Sequence, residues 1–188
     1  MKSLAIGIDL GSTNIKGVLI DQEGNVLQDA RNETNEQHDH HWKHAVAEMA
    51  RDFEKKAGSK VEVIGLSAPG LADATNSCIS FMPGRLPGLE NYQWSELLKG
   101  RVWVINDAHS ALMAEATFGV AKGLQHVVLL SLGTGVGGGI LINGELYQGV
   151  SQMAGHIGHI TVNADASVRD ITNMPGSIED AIGNATLP

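Results

Sequence analysis

Two stretches of this chain share one pattern: an apolar run, a turn of small residues, and a second apolar run. The first is Ala5–Ile20, turning at Gly11-Ser12-Thr13-Asn14, with Asp9 closing the leading strand and Lys16 just past the turn. The second is His126–Ile142, with Gly133-Thr134-Gly135 in the turn and Gly137-Gly138-Gly139 after it. Each spacing predicts a strand–turn–strand unit. Small turn residues let backbone N–H groups approach an anion, because glycine has no Cβ to block it. Ser12 and Thr13 add hydroxyl donors, and Asp9 has the hard oxygens to hold a divalent cation directly or through water. Neither turn ends in Gly-Lys-Ser/Thr, which excludes a Walker-type loop. Alone, either stretch also reads as an ordinary hairpin with a polar turn. Two copies in one chain read as one fold used twice.

The rest of the chain fits around these units. Leu4–Asp9, Ile15–Asp21 and Val26–Ala30, with a turn at Gln22–Asn25, predict an antiparallel three-strand meander. Ala45, Met49, Ala50 and Phe53 recur at helical spacing. His38, His40, His41 and His44 cluster at the entry to that helix with no cysteine beside them, and read as a solvated face. Val61–Leu66 is a predicted strand that runs into a Pro69-Gly70 turn, and Trp94–Leu98 a short helix. Val102–Ile105 reads as a buried strand ending at Asn106-Asp107, with a helix over Ala108–Phe118 directly after it. Asp107 can be a helix N-cap there. It also stands where α/β sheets place ligands, beyond the carboxyl ends of the strands. Gly119–Gly123 reads as a crossover, and Asn143-Gly144 as a tight hairpin turn.

At 188 residues the chain can bury one good core, or one domain and part of another. No apolar run reaches membrane-spanning length, and Met1 leads straight into a core-like strand, so neither a membrane span nor a signal peptide is expected. A single cysteine, Cys78, rules out an internal disulfide framework and fits a reducing cytoplasm. A net charge of −8 without a basic cluster argues against nucleic acid and anionic membrane surfaces as partners.

Asp9–Lys16, Asn106-Asp107, Gly133–Gly139 and Ala154–His159, in this order, resemble the ROK family of sugar kinases and sugar-responsive repressors, within the actin/hexokinase superfamily. The resemblance implies an α/β, ribonuclease-H-like (actin-like ATPase) fold with a mixed sheet. It implies a complete first domain over residues 1–118 and the beginning of a second over 119–188. In that superfamily the two hairpin loops grip the phosphates of ATP from both sides of a cleft. The implied cofactor residues are Asp9, Gly11, Ser12, Thr13, Asn14, Lys16, Gly133, Thr134, Gly135 and Gly137, with Mg²⁺ near Asp9. Asp107 is the implied catalytic base, while Asn106, Gly70, His156, His159 and Glu179 are implied on the sugar side. Family repressors carry a DNA-binding segment ahead of the first motif. Here four residues precede Ala5, so the kinase branch is expected.

The chain departs from the family pattern in three places. The motif Gly-Glu-x-Gly-His reads Gly155-His156-Ile157-Gly158-His159, so an imidazole replaces a carboxylate and sugar preference is open. Asp170, Thr172 and Ser177 fall where the family's zinc cysteines would stand, and neutral hydroxyls bind zinc poorly. No structural zinc is therefore expected, and His156 and His159 with a nearby Asp are the residues left that could form some other metal site. Finally, the sequence stops at Pro188, before the family's adenosine-binding motif, as a fragment or a natural short form would. The expected activity is ATP-dependent phosphorylation of a hexose or N-acetylhexosamine. The alternative is a non-catalytic sugar sensor, and a weaker third is an ATPase acting on proteins. The implied partner is a small-molecule sugar, with a homodimer implied by the resemblance alone.

Overall fold

The computed structural model describes residues 3–34, 39–133 and 135–183. They fall into two compact units, residues 1–107 and 108–188.

In the first unit β1 (Leu4–Leu10), β2 (Asn14–Asp21) and β3 (Val26–Glu33) form the expected antiparallel meander. Helix α1 (Asp39–Ala57) follows, then β4 (Val63–Ala68), the short pair β5 (Leu71–Ala72) and β6 (Ile79–Phe81), α2 (Trp94–Leu98) and β7 (Arg101–Asn106). The main sheet runs β3-β2-β1-β4-β7, with β4 and β7 parallel to β1, so it is mixed. Alternation along the strands buries Ile6, Ile8 and Leu10 of β1 and Ile15 and Leu19 of β2 on one face. Trp42, Val46, Met49, Ala50 and Phe53 of α1 cover that face. Each of the Ile, Leu, Val, Met and Phe side chains among them contributes about 1.5–3 kcal/mol on full burial. The helix comes so close that a Cβ on Gly17 would stand 2.4 Å from the Met49 sulfur. His41 and His44 are exposed, as a solvated face requires, and His44 lies 3.8 Å from Glu48 one turn on. His38 lies outside the described residues.

In the second unit α3 (Asp107–Thr117, entered from the first) leads to β8 (Val127–Leu132), β9 (Val136–Ile142) and β10 (Glu145–Leu146). These form an antiparallel sheet in the order β10-β9-β8. A 3₁₀ turn at Ile157–His159 and α4 (Ile178–Ile182) complete it. The units meet at Asp107/Ala108, one helix before the crossover read from Gly119–Gly123. The reason is packing: a Cβ on Gly137 would stand 2.8 Å from the Ala108 Cβ, and one on Gly139 2.9 Å from Leu112. Helix α3 thus belongs with β9. Among the described residues no helix is long and apolar enough to cross a membrane.

Candidate functional site

Parallel pairing of β1, β4 and β7 brings their carboxyl ends to one edge of the first sheet. Asp9 pairs with Ser67, and Ser67 with Ile105. The register has a chemical consequence: the Ser67 hydroxyl donates to Asp9 Oδ1 at 2.7 Å. Ser67 itself is buried, and nothing in its local sequence marked it as a site residue. An oxygen-only pair of this kind suits Mg²⁺, which takes one or two carboxylates and keeps several waters. Lys16 pairs with Asp9 across the hairpin and is exposed.

The first turn is tied down at several points. Gly11 donates its amide to the Asn14 carbonyl (3.0 Å), and a Cβ at Gly11 would stand 2.9 Å from that oxygen. The Thr34 hydroxyl donates to the Gly11 carbonyl (2.7 Å), and the Thr34 amide to the Thr13 carbonyl (2.9 Å). Arg31 Nε donates to Asn14 Oδ1 (2.9 Å). Gly11 and Asn14 therefore shape the turn, and its exposed tip is Thr13.

Asn106 ends β7 and is buried, and its amide nitrogen donates to the Gly70 carbonyl at 2.9 Å. Gly70 sits at φ +100°, where a Cβ would meet the Phe81 carbonyl oxygen at 2.5 Å, so the turn requires glycine. These two expected sugar residues are thus joined to each other. Asp107 follows as the first residue of α3 and is exposed.

In the second unit the turn carries Gly133, whose amide donates to the Gly135 carbonyl (2.9 Å), and Thr134 lies outside the described residues. Gly137, expected among the phosphate residues, lies within β9 opposite Ser131, where lack of a side chain serves packing on α3. Glu179, expected on the sugar, accepts from the Val136 amide at 3.0 Å. A Cβ at Gly135 would meet its Oε2 at 2.1 Å, so this carboxylate braces the turn.

The motif Gly155–His159 lies against β9 at its two glycines. Gly155, at φ +91°, would place a Cβ 2.7 Å from the Gly139 Cα, and Gly158 one 1.9 Å from the Val136 carbonyl oxygen. This close approach explains the Gly-x-x-Gly spacing. Between them His156 packs edge-on to His109 (5.4 Å) and stacks parallel to His159 (6.4 Å, 10°). His109 is buried on α3 and its Nε2 donates to the Ala154 carbonyl at 3.0 Å. Sequence reading missed it, although a histidine beside Ala108 and Leu112 on the buried stripe of α3 was a signal. Burial, then the neighbouring His109 and His159 rings, push the His156 imidazole down to about 4. It is neutral at pH 7, and its buried Nε2 has no hydrogen-bond partner among the described residues.

Of the positions aligned with zinc cysteines, Asp170 and Thr172 bond to each other and Ser177 caps α4. Ser177 Oγ accepts from the Asp180 amide at 3.2 Å. Among the described residues no group of three or more His, Cys, Asp or Glu is placed to hold a metal ion.

The chain belongs to the ROK family, whose model matches residues 5–178. It is 30% identical over 165 residues to a glucokinase of Thermotoga maritima, covering 84% of this chain and 50% of that protein. It is 31% identical over 171 residues to a xylose repressor of Bacillus spizizenii, covering 85% and 42%. A ROK family glucokinase from Streptomyces griseus, solved in complex with glucose and AMPPNP, superposes with a TM-score of 0.83 at 28% identity, covering 97% of this chain and 58% of that one. The fold is therefore the actin-like α/β fold of ROK proteins. The chain spans about half the length of the curated relatives it matches.

Proposed function

We propose that this chain is the amino-terminal part of an ATP-dependent sugar kinase. The observation that carries the reading is the carboxyl edge of the first sheet. There Asp9 is held by Ser67, and Asp107 is exposed at the β7–α3 junction beyond the anchored Asn106. Asp107 takes the proton of a sugar hydroxyl as that oxygen bonds to the γ-phosphorus and the bond to ADP breaks. Ser12, Thr13 and Gly135 supply amides and hydroxyls to the phosphates. Asp9 would hold Mg²⁺ directly or through water, and the ion would supply charge neutralisation to the phosphates. Such a site works by positioning and electrostatics, so small turns, one cation and one base suffice. His159 and His156 orient the sugar. Glu179 and Asn106 support them by holding the second turn and Gly70. We place the protein in the cytoplasm, as its single cysteine suggests.

The second reading is a sugar sensor. It is favoured by the likeness to a xylose repressor and by neutral His156 where the family carries a carboxylate.

The test is ADP formation with Mg-ATP across a panel of hexoses and N-acetylhexosamines, beside Asp107→Asn. A kinase shows sugar-dependent turnover that falls about 10³-fold in the variant, roughly 4 kcal/mol of barrier, with sugar affinity little changed. Turnover that survives Asp107→Asn sinks the assignment of the base. Sugar binding without turnover favours the sensor.

A further inference from the structure

The Asp170 side chain is fully buried, and its two oxygens do different things. Oδ1 accepts from the Thr172 amide (2.9 Å), the Thr172 hydroxyl (2.7 Å) and the Met174 amide (3.0 Å). Oδ2 stands 2.9 Å from His159 Nδ1. Burial alone raises this carboxyl, but the hydrogen bonds from Thr172, Met174 and His159 outweigh it and bring it down to about 2. The group is an anion at neutral pH, and an anionic carboxylate only accepts. The proton between Oδ2 and the ring therefore belongs to His159 Nδ1. In the neutral imidazole the other nitrogen, Nε2, then carries a lone pair. The two partners differ in access, since the His159 side chain is 22% exposed and that of Asp170 0%. The His156 ring lies parallel to that of His159, with centroids 6.4 Å apart.

We propose that Asp170 is a positioning residue: it fixes His159 as the Nδ1–H tautomer, so that Nε2 accepts a hydrogen bond from a sugar hydroxyl. The sugar as target rests on the kinase reading above, whereas the tautomer rests on the Asp170 contacts alone. A carboxylate from the loop that precedes α4 thereby sets the hydrogen-bonding sense of a residue in the glycine motif.

The experiment is long-range ¹H–¹⁵N correlation of the histidine rings in the 188-residue chain and in Asp170→Asn, with glucose and N-acetylglucosamine titrated into both. Asparagine keeps an oxygen for the Thr172 and Met174 donors and turns an NH₂ toward His159 Nδ1. That nitrogen must then accept, and the ring proton moves to Nε2. The expected result is Nδ1–H at His159 in the wild type, Nε2–H in Asp170→Asn, and sugar binding weakened at least tenfold. Nε2–H in the wild type overturns the proposal, as does an unchanged tautomer in the variant. A switched tautomer with unchanged affinity for a sugar that the wild type binds overturns the role in sugar recognition. A wild type that binds neither sugar while its tautomer follows Asp170 overturns the choice of these sugars as targets and confirms the positioning. The wild-type spectrum decides the tautomer even if the variant does not fold.

Discussion

In the first hairpin, Gly11 bonds to Asn14 within the turn, and Thr34, at the end of the adjacent strand, donates to both Gly11 and Thr13. In the second hairpin the Val136 amide is held by Glu179, a side chain 43 residues downstream. The two units also use the same kind of carboxylate hub differently. Asp73 in the first accepts the amides of Thr75, Ser77 and Cys78 and the hydroxyls of Thr75 and Ser77, so both oxygens serve one local turn. Burial would raise that carboxyl, but these bonds hold it well below the usual carboxylate range. Asp170 gives one oxygen to its turn and the other to His159. The first unit thus takes its site geometry from strand register. The second takes it from single side chains arriving from residues 170–179, so it is the more exposed to point substitution.

Four substitutions test this contrast. The largest stability effect is expected for Gly158→Ala. Its Cβ would lie 1.9 Å from a backbone oxygen of β9, which cannot swing aside, so unfolding free energy falls by about 3 kcal/mol. Gly135→Ala costs less, because the atom it meets ends a flexible glutamate side chain. Chemical denaturation followed by circular dichroism measures both, and equal losses would break the distinction between backbone and side-chain contacts.

Next comes pH. Asp170 is lowered from its ordinary 3.8 to about 2 in the fold. Its contribution is therefore present above about pH 4 and lost as pH falls through 2, amounting to roughly 2 kcal/mol. The free energy of unfolding of Asp170→Asn should fall less steeply over that window than that of the wild type. Parallel curves would show that Asp170 carries no such linkage.

The smallest effect is expected for Thr34→Val, which removes one hydroxyl bond to Gly11 while the ladder between β2 and β3 remains. A loss of about 1 kcal/mol is expected by the same denaturation. A loss as large as that of Gly158→Ala would mean that the first turn, too, hangs on one side chain.

Much of the fold was legible before any coordinates. The meander, the buried face of α1 and the β7–α3 junction follow from periodicity of apolar residues, a local property that burial enforces wherever a chain folds. The glycine turns were legible for the same reason, since a missing Cβ is written in the residue itself. Their individual roles were not. Gly137 is implied among the phosphate-binding residues, yet its place opposite Ser131 in β9 makes it a packing contact with Ala108. Glu179 reads as a ligand, and a turn amide takes its carboxylate. Ser67 on Asp9, Asn106 on Gly70 and Asp170 on His159 are bonds between residues 58, 36 and 11 positions apart. A hydrogen bond depends on distance and angle to within a few tenths of an ångström, and spacing along a chain says nothing of either. The residue types and their order determined the family, the strands and the candidate chemistry. Strand register and the path of the last loop decided which oxygen faces which proton, because only the folded backbone brings such groups within reach.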